Sequence, residues 1–126
     1  MDNIAFLRLE EPVRLDRDQL EVLVLQMGPA GADQVVGQAM EEIAVLLARL
    51  ERRHRENAAD EVATGVRSLV AIAQQVGMTT LARVGRDVLS LIGGPDSNAY
   101  CAAFARMIRI GETSLVAVWD LQDMRI

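Results

Sequence analysis

The chain has 126 residues, 51% of them hydrophobic and 25% charged, which suits one domain around one core and excludes disorder. A formal net charge of −5 argues against a nucleic-acid binder, which needs a basic face. The single cysteine, Cys101, excludes an internal disulfide.

Aromatic residues make up only 3% of the chain, so the core must be aliphatic. Alanine, leucine, valine and methionine dominate, and they favour helices. The opening MDNIAFLRLEEP is acidic and lacks a hydrophobic signal core. No apolar run approaches the ~18 residues of a membrane span. The expectation is a soluble cytoplasmic domain with no membrane contact.

Residues 1–15 are the least regular, with Pro12 interrupting an alternation around Ile4, Phe6 and Arg8. They read as an arm packed on the outside of the domain. Asp16 is an expected N-cap, with Gln19 in the capping-box position. Leu20, Leu23 and Val24 then follow at helical spacing, and Gly28-Pro29 ends a short helix over 16–27.

A second helix is expected from Asp33 to Arg55, with Val36, Ala39, Ile43, Leu46 and Leu50 inward. Its end carries Arg49, Arg52, Arg53, His54 and Arg55, where the helix dipole favours positive charge. Asn57 is the expected cap of a third helix. In it Val62, Val66, Leu69, Ala73 and Val76 repeat every three or four residues, and Gly77 stops it. Thr79 or Thr80 should cap a fourth, with Leu81, Val84, Val88 and Leu91 inward. Asp96 or Ser97 should cap a fifth after Gly93-Gly94-Pro95, with Tyr100, Phe104, Met107 and Ile108 inward, a bend at Gly111, and Leu115, Val118 and Trp119 beyond it. Short loops between amphipathic helices favour antiparallel neighbours. The predicted fold is therefore all-α: an up-down antiparallel four-helix bundle over 33–121, preceded by the short helix and the arm, in one domain.

The stretch from Arg67 to Gly77, RSLVAIAQQVG, resembles the signature of histidine-containing phosphotransfer (HPt) domains. In that family the order is H-x-L-K-G, four residues, an aliphatic residue and glycine. Leu69, Val76 and Gly77 match the leucine, the aliphatic residue and the final glycine. The following MTTLARVGRDV and the preceding LDRDQLEVLVLQMG are similar to the family's next helix and its short first helix. The resemblance covers about residues 15–93 in helix order and is specific only from Leu69 to Leu81. It implies a four-helix bundle whose partners are response-regulator receiver domains or histidine kinases.

Three positions depart from that pattern. Arg67 stands where the phosphoacceptor histidine would be, Val70 at the lysine and Ala71 at the glycine. A histidine of pKa ~6.5 is roughly three-quarters neutral at pH 7 and can attack an acyl phosphate. An arginine of pKa ~12.5–13.8 is neutral in fewer than roughly one molecule in 10⁵. The resemblance therefore implies a degenerate member that does not transfer phosphate and is not an enzyme. At helical spacing, Asp60, Thr64, Arg67, Val70, Ala71, Gln74 and Met78 share one side of the third helix. They form the candidate docking face, on which Arg67 would pair with the acidic pocket of a receiver.

Competing chemistries are weaker. His54, the only histidine, is read as a partly solvated residue in a basic helix end rather than a relocated acceptor. The adjacent acids Glu41-Glu42 and Glu10-Glu11 point apart on a helix. One histidine and one cysteine are too few for a zinc site, and no metal or cofactor is expected. Cys101 is read as a small core residue, and Met40, Met78 and Met107 as core fillers. The leading expectation is an HPt-like binder of a receiver or kinase. The alternative is a self-associating bundle, a homodimer, using the apolar runs Leu115–Trp119 and Ile4–Leu7. A second alternative is phosphotransfer through His54.

Overall fold

A computed structural model describes residues 14–123, with side chains described to residue 120. The proposed arm therefore lies outside the described residues except for Arg14 and Leu15. Four helices follow: α1 (Arg17–Arg55), α2 (Ala59–Gln75), α3 (Thr79–Leu91) and α4 (Ser97–Asp123). Each packs on the next, and α4 packs back on α1, while the backbones of the diagonal pairs lie farther apart. Side-chain contacts give the direction of the last pair. His54 meets Tyr100 and Phe104, whereas Leu47, earlier in α1, meets Gly111, later in α4. The two helices run antiparallel, and the fold is an all-α four-helix bundle.

The inward stripes account for the bundle. Val62, Val66, Leu69, Ala73 and Val76 are all buried to within 1% of complete exclusion. Ile43, Leu50, Leu81 and Met107 join Leu69 in the fully buried centre. Each large side chain of that kind contributes about 1.5–3 kcal/mol. In α1 the core position falls to Leu47, and Leu46 is only half-buried. Leu91 and Tyr100 are likewise half-buried at the ends of their stripes. Trp119 stays exposed although its neighbour Val118 is buried.

Several expected boundaries move. One holds: the short first helix ends at Gly28 as expected, where a φ of 77° and ψ of 165° are non-helical, so Arg17–Arg55 is two helical segments meeting at a kink, the second starting at Pro29 rather than Asp33. Such a conformation is essentially confined to glycine. Pro29 then restarts the helix, where its missing N–H leaves no hydrogen bond unmade. Asn57 caps nothing: it takes a left-handed φ of 56° in the turn after α1, and Ala58 occupies the α2 cap position without a side-chain bond. Neither Thr79 nor Thr80 caps α3, because both hydroxyls serve the chain before α1. The Arg14 N–H donates to Thr80 Oγ1 at 2.8 Å, and Thr79 Oγ1 donates to the Arg14 carbonyl at 3.2 Å. Asp16 and Asp96 are caps, accepting from the Gln19 and Ala99 amides at 3.1 and 2.9 Å. α4 runs on through Gly111, which packs on Leu47.

The same tether explains Gly77. The Asp16 N–H donates to the Gly77 carbonyl at 2.6 Å, and Leu15 bridges to Met78 in antiparallel fashion. A Cβ on Gly77 would lie 2.7 Å from the Asp16 carbonyl oxygen. Gly77 thus ends α2 with a φ of 79° and also lets the start of α1 lie against the α2–α3 turn.

Candidate functional site

Arg67 lies mid-way along α2, exposed, one residue past the fully buried Val66. At 100° per residue the stripe that buries Val66, Leu69 and Ala73 turns Arg67 outward. It makes no ion pair or hydrogen bond among the described residues. Asp60, Thr64, Ala71 and Gln74 are also exposed on this side. The Thr64 hydroxyl donates to the Asp60 carbonyl at 3.0 Å and the Ser68 hydroxyl to the Thr64 carbonyl at 3.3 Å. Both hydroxyls are folded onto the helix, so the surface around Arg67 is low and lightly polar.

Two residues assigned to this face belong elsewhere. Val70 is 9% exposed and Met78 is fully buried. Val70 falls one turn after Val66 and packs toward α3, where a Cβ on Gly85 would come within 2.6 Å of its Cγ2. Met78 follows the chain reversal at Gly77, so the α2 register does not carry through to it. It packs into the hydrophobic core as the residue before α3. The exposed face therefore consists of Asp60, Thr64, Arg67, Ala71 and Gln74. A free guanidinium on a low surface can hold a carboxylate or phosphate through two parallel N–H bonds. It cannot serve as a nucleophile at neutral pH.

His54 is more engaged than a solvated helix end would be. Its ring stacks on Phe104 with centroids 4.1 Å apart and planes 15° apart. Its Nδ1 lies 3.2 Å from the Tyr100 hydroxyl. Tyr100 sits one turn before Phe104 on α4, so the three rings close the end of the bundle where α1 finishes. Burial, with a smaller contribution from the neighbouring Cys101 thiol, raises the Tyr100 pKa above its ordinary value. Cys101 itself is exposed, because the stripe through Tyr100, Phe104 and Met107 leaves its position turned outward. The spacing of Tyr100 and Phe104 announced an inward pair. Nothing local announced that His54 would meet them.

A second feature, not read from the sequence, is the groove between α1 and α2. Glu41, Glu42, Val45, Leu46 and Arg49 line it on one side and Ser68, Ala71 and Ile72 on the other, around an open volume of about 640 Å³. Val45 is 56% exposed. The apolar run expected to mediate self-association divides, with Val116 and Trp119 exposed and Val118 buried. Ile4–Leu7 lie outside the described residues.

Among the described residues no three His, Cys, Asp or Glu side chains gather into a metal-binding group. No described helix is long and apolar enough to cross a membrane. Comparison with protein-family models, with curated proteins and with solved structures returned no match.

Proposed function

We propose that this bundle is a non-transferring, HPt-like binding module whose Arg67 docks into the carboxylate-lined pocket of a response-regulator receiver domain. The observation that carries the reading is the placement of Arg67. It is exposed, unpaired and mid-helix, at the position where the resemblance puts the acceptor histidine. Its surroundings are Thr64, Ala71 and Gln74, small or flat enough for a partner surface to approach. The guanidinium would form charge-assisted bonds to the partner's carboxylates, and no phosphoryl group would move.

Binding of candidate receivers is measured by calorimetry for the parent and for Arg67→Ala. Loss of a buried, two-pronged ion pair weakens such a complex by ~2–5 kcal/mol, at least a tenfold change in Kd. Unchanged binding by Arg67→Ala, or no receiver bound by the parent, removes the reading.

A further inference from the structure

The groove between α1 and α2 carries a charge pattern that the docking of Arg67 does not use. Glu42, Val45, Leu46 and Arg49 follow one another at helical spacings of three, one and three, so they share a face of α1. The acid and the base stand seven residues apart, about 10.5 Å along the axis. That is too far for them to pair with each other, and neither has another ion partner among the described residues. Between them lies an apolar centre, the 56%-exposed Val45 and the half-buried Leu46. Across the groove α2 offers Ala71 and Ile72.

This pattern is complementary to itself when reversed. Turning a second copy about an axis that crosses α1 between Val45 and Leu46 sets the two α1 helices antiparallel. Glu42 of each copy then faces Arg49 of the other. Val45 of each meets the groove beside Leu46 of the other. Two ion pairs and one apolar seam form from a single patch, as a two-fold contact requires. A parallel arrangement would instead oppose Glu42 to Glu42 and Arg49 to Arg49.

We infer that the α1–α2 groove is a homodimer interface whose occupant is the same groove of a second copy, held in antiparallel register by reciprocal Glu42–Arg49 pairs. Arg67 itself does not line the groove, although Ala71 belongs both to the groove and to the face around Arg67. The inference does not depend on receiver binding.

The test is a charge exchange read by sedimentation equilibrium on the full chain. The parent is expected to show the mass of two chains. Glu42→Arg places two arginines opposite Arg49, and Arg49→Glu places two acids opposite Glu42. Each single variant should dimerise at least roughly tenfold more weakly than the parent. Mixed in equal amounts, the two variants restore both attractive pairs, and a mixed dimer should form. The double variant carrying both changes should dimerise as the parent does. All four positions in a dimer are exposed, so circular dichroism should match the parent throughout. A parent of one-chain mass at near-millimolar concentration overturns the inference. So does an unchanged dimer in both single variants, or a mixture that stays at the mass of one chain.

Discussion

Replacing Gly77 by alanine tests the claim that this residue joins the start of α1 to the α2–α3 turn. Two costs add. A side chain at a φ of 79° carries ~1–2 kcal/mol of left-handed strain. The new Cβ would also lie 2.7 Å from the Asp16 carbonyl oxygen, a backbone atom that cannot rotate away. Relief requires residues 14–16 to withdraw, which breaks the bond from the Asp16 amide to the Gly77 carbonyl, itself worth ~1 kcal/mol. The expected total is ~3 kcal/mol, a large share of the ~5–15 kcal/mol that a domain commands. Gly93 is the control. Its φ of 75° is similar, but a Cβ there meets nothing within 4 Å. Gly93→Ala should therefore cost the strain alone, ~1–2 kcal/mol. Urea unfolding followed by circular dichroism gives both values, with equal slopes expected. A Gly77→Ala variant no less stable than Gly93→Ala would refute the steric part of the reasoning.

Other consequences follow from the packing and the titratable groups. Tyr100 is the sole tyrosine, so absorbance near 295 nm reports its ionisation alone. Its midpoint in the native protein should lie above the ordinary value of about 10, because burial disfavours the phenolate. Since the native state then keeps a proton that the unfolded chain loses, stability should fall as pH rises above ~10, and Tyr100→Phe should abolish that contribution. Gly85→Ala gains ~1 kcal/mol of helix propensity but overpacks Val70 by ~1–3 kcal/mol, so a net loss is expected. Adding Val70→Ala should make the double variant more stable than the two single losses sum to, as a thermal or urea cycle would show. Asn57→Ala should destabilise by roughly 1 kcal/mol and Asn57→Gly by none, because Asn57 holds a left-handed φ of 56°.

What could be read in advance was what periodicity controls. Val62, Val66, Leu69, Ala73 and Val76 had to be inward because no other helix phase buries them together, and the same phase sent Arg67 outward. Residue type was a poorer guide than register. Cys101 looked like a core residue by composition but sits off the stripe and is exposed. Val70 lies between the seam and the surface, and only the close approach of Gly85 decides that it is covered. Met78 defeated the periodicity because the chain reverses at Gly77, so counting on from α2 gave the wrong face. Capping was legible where the side chain had no other task, at Asp16 and Asp96. It failed at Thr79 and Thr80, whose hydroxyls hold Arg14, more than sixty residues away in the chain. Neither the ring cluster at His54 nor the α1–α2 groove has a local signature, since each depends on the offset between two helices.

These placements change the weight of the three departures from the HPt pattern. Val70 first stood as the loss of a positive charge beside a transferred phosphate. In the fold it fills the crossing of α2 and α3, where Gly85 has no side chain to spare. A lysine in its place would have to carry its amine out past that contact, at the cost of burying its stem where the helices are closest. Packing alone therefore accounts for a valine there. Ala71 is exposed and small, with no contact that demands alanine over glycine beyond the higher helix propensity of alanine. Arg67 differs in kind. It is exposed and makes no ion pair or hydrogen bond among the described residues. The high helix propensity of arginine accounts for it as a solvated helix residue, so the binding proposal rests on its unpaired guanidinium and not on the motif as a whole.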